Sequence, residues 1–147
     1  MPATTDSDGR ALILIPLTLT KITDLDFGTV VPSSMSGVVT INATTGARTF
    51  AGGVIGVASD AGGRARFGAA GSANQQVFVS VDQPAELTSV GGDVITVLAL
   101  TMDGPALRTV DPDSRAFFVG VGGILQIEAD QPEGEYTADF EVTANYQ

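Results

Sequence analysis

Short apolar and β-branched runs, each closed by glycine, proline or a cluster of Asp, Asn and Ser, recur along the whole chain, and this punctuation constrains the fold more than any other feature. Long helix-forming runs of Leu, Glu and Lys are missing, whereas Gly (18 residues), Pro (7), Thr, Val and Ala are plentiful. The expected class is all-β. A chain of 147 residues fits one domain, and 44% hydrophobic content suffices for a core.

The runs can be placed individually. Residues 11–20 are apolar and β-branched and read as one strand or two short ones, with Pro16 at an edge, a bulge or the junction between pieces, because it cannot donate a ladder hydrogen bond. Phe27 is expected to anchor the core. Residues 38–42 alternate as a half-buried strand, residues 45–48 form a turn, and residues 49–57 follow as a strand whose Gly52-Gly53 pair signals a bulge or a close backbone approach. Residues 65–69 and 76–81 read as two more strands, the second with Val77, Val79 and Val81 on one face.

Residues 93–102 form the longest apolar run and predict a central strand buried on both sides. Residues 115–121 and 124–128 suggest a hairpin turning at Gly122-Gly123. At the end, Tyr136, Ala138, Phe140, Val142, Ala144 and Tyr146 share one face of a single strand, with Thr137, Asp139, Glu141, Thr143 and Asn145 on the other. About eight or nine strands at this spacing predict a β-sandwich of immunoglobulin-like outline.

The residue inventory narrows the chemistry. Seventeen acids against seven basic residues, a formal net charge of −10, leave no basic footprint for nucleic acid or anionic lipid. No stretch approaches the roughly 20 apolar residues that span a bilayer as a helix. Without Cys or His the chain has no disulfide, no thiolate or imidazole metal ligand, and neither a Ser-His nor a Cys-His nucleophile pair. The expectation is a protein that is not an enzyme, with no catalytic residue, no cofactor and no metal site.

Two acid clusters, Asp111 with Asp113 and Asp24 with Asp26, could meet a hard cation, but neither matches a calcium loop and both read as turn chemistry. The glycine pairs lack the strand-loop-helix context of a phosphate cradle. Asn42-Ala-Thr44 has the form of a glycosylation sequon but sits near a strand end, and it is expected to be unmodified.

The start of the chain stands apart. Residues 1–10 are polar and slightly acidic, without the basic and then apolar character of a signal peptide, so they read as a mature start. The apolar segment that follows, Ala11, Leu12, Ile13, Leu14 and Ile15, needs a partner. It could pair as the first strand of its own domain, or serve as a strand exchanged with a neighbouring copy. Burying four or five such side chains contributes about 1.5–3 kcal/mol each, against about 1–2 kcal/mol of backbone entropy per ordered residue. The totals are similar, so exchange depends on completing a preformed groove, here expected to be walled by Tyr136, Phe140, Val142 and Tyr146. The expected division is a tail and donor strand over residues 1–15 and a sandwich over residues 16–147.

Two segments carry a family likeness: Ile15-Pro-Leu-Thr-Leu-Thr-Lys-Ile-Thr-Asp-Leu-Asp-Phe-Gly28, and Pro132-Glu-Gly-Glu-Tyr-Thr-Ala-Asp-Phe-Glu-Val-Thr-Ala-Asn-Tyr-Gln147. They resemble the bacterial domain-of-unknown-function family 4402. The closing Gly-x-Tyr, the alternation after it and the Tyr just before the C-terminus are also similar to subunits of chaperone-usher pili. That resemblance implies an incomplete sandwich whose groove is filled by the N-terminal arm of the next subunit, giving a secreted homopolymer at the cell surface, with a periplasmic chaperone and an outer-membrane usher as assembly partners. The alternative is a monomeric secreted or surface adhesion module with all strands in cis.

Overall fold

The computed structural model describes residues 2–147. Among them run thirteen strands: β1 (Thr18–Thr23), β2 (Val30–Val31), β3 (Gly37–Ile41), β4 (Arg48–Gly52), β5 (Ile55–Gly56), β6 (Ala65–Ala70), β7 (Gln76–Val81), β8 (Glu86–Ser89), β9 (Val94–Met102), β10 (Leu107–Thr109), β11 (Ala116–Ile127), β12 (Tyr136–Thr137) and β13 (Val142–Tyr146). A single 3₁₀ turn occupies Ala58–Asp60. The chain is an all-β sandwich, as its punctuation predicts, with more and shorter strands than the eight or nine expected because β2, β5 and β12 hold only two residues each.

The large sheet has the order β1-β6-β11-β9-β8-β12, with β3 also paired to β11 and β4 to β3. The second sheet is β10-β7-β13, and β2 and β5 form a small ribbon. At the centre lies β11. Along one edge its first half pairs β6, from Ala116↔Ala70 to Val121↔Ala65, and its second half pairs β3, from Gly123↔Ile41 to Ile127↔Gly37. Its other edge takes β9.

The strand pairing corrects several expectations. The hairpin at Gly122-Gly123 does not form, because both glycines lie inside β11 where the chain around Ile41 crosses close by. A Cβ on Gly122 would stand 2.1 Å from the Ile41 carbonyl oxygen, so the glycine answers to a neighbouring strand rather than to a turn. The strand buried on both faces is β11, whose residues 119–123 are all buried. β9 buries only one face: Ile95 and Val97 point into the core, while Val94 and Leu98 are exposed.

The final alternating strand also breaks. Tyr136 and Thr137 pair with β8 in the large sheet, whereas β13 pairs with β7 in the second sheet, and residues 138–141 make the crossing. The alternation in burial lapses at the crossing, where Ala138 is exposed, and resumes at Phe140, Val142, Ala144 and Tyr146, which face the core from the second sheet's side. The first strand starts later than expected as well: residues 11–17 pair with no strand, and β1 begins two residues after Pro16. Gly52-Gly53 does mark a close approach, since a Cβ on Gly53 would fall 2.3 Å from the Met35 carbonyl oxygen, and the run 49–57 splits there into β4 and β5.

Two apolar clusters fill the interior. Ala65, Phe67, Val77, Val79, Val110, Val119 and Val121 are packed between β6 and β11 on one side and the second sheet on the other. Val39, Val54, Ile95, Val97, Leu125 and Ile127 form the other cluster, further along the large sheet. No strand of the second sheet covers this part: β7 stops at Val81 and β13 starts opposite it at Val142. The covering there consists of the stretches on either side of β2 and β12.

Candidate functional site

Two features stand apart from an ordinary closed sandwich, an uncovered arm and a cleft. Residues 2–13 of the arm are exposed, with Leu12 at 58% and Ile13 at 87% of full exposure. Leu14 is half-buried. Contiguous exposed aliphatic side chains of this kind signal a partner surface.

The arm is gripped at its root. Ile15 N–H donates to Ser72 Oγ (2.9 Å), Tyr146 Oη donates to the Ile15 carbonyl (2.8 Å), and Ser72 N–H donates to Tyr146 Oη (2.9 Å). Both backbone groups of Ile15 are thus satisfied by side chains, just before Pro16, whose ring nitrogen has no hydrogen to offer a ladder. Gly71 makes the grip possible, because a Cβ there would sit 2.6 Å from Tyr146 Oη.

The cleft, of about 1050 Å³, opens over the second apolar cluster. Its floor includes Val39, Ile95, Val97, Leu125 and Ile127; one wall is residues 24–32 and the other residues 131–138 with Phe140. Its size is that of a large ligand pocket. Neither wall is a continuous strand, so each is held by side chains instead.

Arg48 fixes the first wall. Its guanidinium donates to the carbonyls of Phe27, Thr29, Asp60 and Val57, between 2.9 and 3.0 Å, and lies 5.0 Å from the Phe50 ring centroid. Gln131 fixes the second: its amide nitrogen donates to the Val94 carbonyl and to Tyr136 Oη, and its amide oxygen accepts from Glu128 N–H. Tyr136 Oη in turn donates to the Pro132 carbonyl at 2.6 Å. Replacing Arg48 with alanine removes four donations at once and takes the side-chain donor from the Phe27 carbonyl, while the Thr29, Val57 and Asp60 carbonyls keep backbone donors. It is expected to cost about 1–2 kcal/mol, read as a lower urea midpoint. Lysine, a point donor without the planar fork, should recover less than half of that loss.

The residues named from sequence for the groove divide between two places. Tyr136 and Phe140 line the cleft, and Phe140 also meets Phe67 edge-on at 6.4 Å. Val142 and Tyr146 lie on β13, where they pack against the first cluster. Tyr146 is brought to the arm rather than to the cleft. Ser72, Arg48 and Gln131 were not singled out in the sequence, and no local pattern marks them, since each acts on backbone more than 8 residues away in the chain except for Gln131 at Tyr136 and Glu128. The outer edges of β1 and β13, each the last strand of its sheet, carry no ladder partner among the described residues.

The acid clusters behave as turn formers. Asp111 carboxylate accepts from Asp113 N–H and Asp26 carboxylate from Gly28 N–H, while Asp24 pairs with Lys21 at 2.8 Å. Among the described residues no three acidic side chains gather as metal ligands would.

The model of one family, described as a domain of unknown function (DUF4402), matches residues 17–146. No curated protein and no solved structure matches the chain.

Proposed function

We propose a structural role for this chain, which belongs to the DUF4402 family: it is a subunit of an extracellular bacterial filament that polymerises by strand exchange. The arm of one copy, through Ala11, Leu12, Ile13, Leu14 and Ile15, lies against the sandwich of the next, and a periplasmic chaperone and an outer-membrane usher assist assembly. The chain itself carries no catalysis in this reading.

One observation carries the proposal: an arm whose aliphatic side chains are in water occurs in the same molecule as an apolar cleft that no strand covers. Joining the two removes exposed apolar surface on both sides, at roughly 25 cal/mol per Å². An incoming extended segment can also add a strand to an unpaired sheet edge, which adds main-chain hydrogen bonds to side-chain burial.

Deleting residues 1–15 tests it. The parent chain is expected to form filaments visible by electron microscopy and ladders that survive mild detergent, and the truncated chain to form neither. A truncated chain that polymerises like the parent removes the proposal. A parent chain that stays a dilution-stable 15 kDa species points to a solitary surface module instead.

A further inference from the structure

We propose that the aliphatic segment of the arm lies too close to its gripped root to reach the cleft of its own molecule, so that this spacing commits the protein to exchange between copies. The inference rests on the strand-exchange reading and adds a constraint that the reading does not contain.

The strand registers supply the ruler. Hydrogen bonds hold Ile15 beside Ser72. From Ser72 back to Ala65 is seven residues of chain, most of it β6; Ala65 is opposite Val121, and the floor residue Leu125 lies four residues further along β11 in the same direction. Leu125 is opposite Val97 of β9, the neighbouring floor residue. The arm's root and the middle of the cleft floor are thus about eleven strand residues apart, or about 36 Å along the sheet.

The apolar part of the arm cannot cover that distance. Leu14 to Ala11 is four residues, and four residues reach about 14 Å when fully extended. Turned back along its own sandwich, the arm would place residues near Thr4 over Leu125, within the stretch Pro2-Ala-Thr-Thr-Asp6. That stretch would bring hydroxyls and a carboxylate to an apolar floor, which is unfavourable without partners. Ile13, the most exposed aliphatic residue of the arm, would stop well short of the floor. A neighbouring copy has no such tether, so its aliphatic segment can enter at any depth.

The absence of native Cys allows a clean test. Ile13→Cys and Leu87→Cys, one on the arm and one on the cleft lining, are combined in the full chain and treated with a short thiol-specific crosslinker. A second version carries about fifteen Gly/Ser residues between Leu14 and Ile15, a spacer reaching about 50 Å when extended. The expected result is a ladder of covalent multimers from the first version and a shift to internally linked monomer in the second. Internally linked monomer from the version without the spacer overturns the inference and leaves strand exchange standing. A spacer version that still gives only the ladder overturns this spacing as the gate. No linkage in either version removes the cleft as the arm's acceptor, and with it both the reading and the inference.

Discussion

A chain carrying Ile13→Asp is expected to fold as the parent does and to fail to assemble. In its own molecule Ile13 is 87% exposed and touches no apolar cluster, so the substitution should change stability by no more than about 0.5 kcal/mol. In a neighbour's cleft the same position would bring a carboxylate against aliphatic side chains, at a cost of several kcal/mol. Since about 1.4 kcal/mol is a factor of ten in an equilibrium constant, the critical concentration for assembly should rise at least about 100-fold. Thermal unfolding and sedimentation of the same sample separate the two effects, and Ile13→Val should leave both near the parent values. An Ile13→Asp chain that assembles at the parent concentration would show that this side chain stays in water in the polymer.

Gly122→Ala should damage the fold itself. The added methyl would meet backbone on more than one side: the Ile41 carbonyl oxygen at 2.1 Å, its carbon at 3.0 Å and the Ala43 nitrogen at 2.7 Å. Backbone cannot swing aside as the end of a flexible side chain can, and the site is where β11 passes from pairing β6 to pairing β3. The expected loss is about 3 kcal/mol, seen as a fall of about 10 °C in Tm. Gly63→Ala is the control, because a Cβ there meets nothing within 4 Å; it should be neutral or slightly stabilising through the unfolded chain. Equal effects from the two substitutions would show that the crossing of the chain over β11 is looser than its geometry implies.

The same glycine shows which parts of the fold were legible in the sequence. β3, β6 and β7 could be read directly, since each is short, alternates or is β-branched, and ends in turn residues; Val39, Phe67, Val77 and Val79 are buried. Gly122-Gly123 has the composition of a tight turn, and only the approach of a strand some eighty residues earlier in the chain turns it into the middle of the central strand. The alternation from Tyr136 to Tyr146 locates the inner face at Tyr136, Phe140, Val142, Ala144 and Tyr146 but not at the exposed Ala138, and it carries no mark of the change of sheet. An apolar run such as β9 records that it is apolar, not how many of its faces are covered. Of the candidate site, the arm was legible as an aliphatic stretch with a proline behind it, and Tyr136 and Phe140 as inward residues. The grip by Ser72 and the four-carbonyl hub at Arg48 were not, because each joins segments with no local relation in sequence.

The separation between the gripped root of the arm and the cleft bears on symmetry. In the strand-exchange reading, giver and receiver patches at different places on one subunit are satisfied either reciprocally, two copies trading arms, or head to tail, each copy giving to the next. Repeating the head-to-tail contact gives either a closed ring or an open thread. In a thread every link points the same way, so one tip displays a vacant cleft and the other a spare arm. A cap that occupies the vacant tip would therefore halt elongation there and leave the opposite tip untouched.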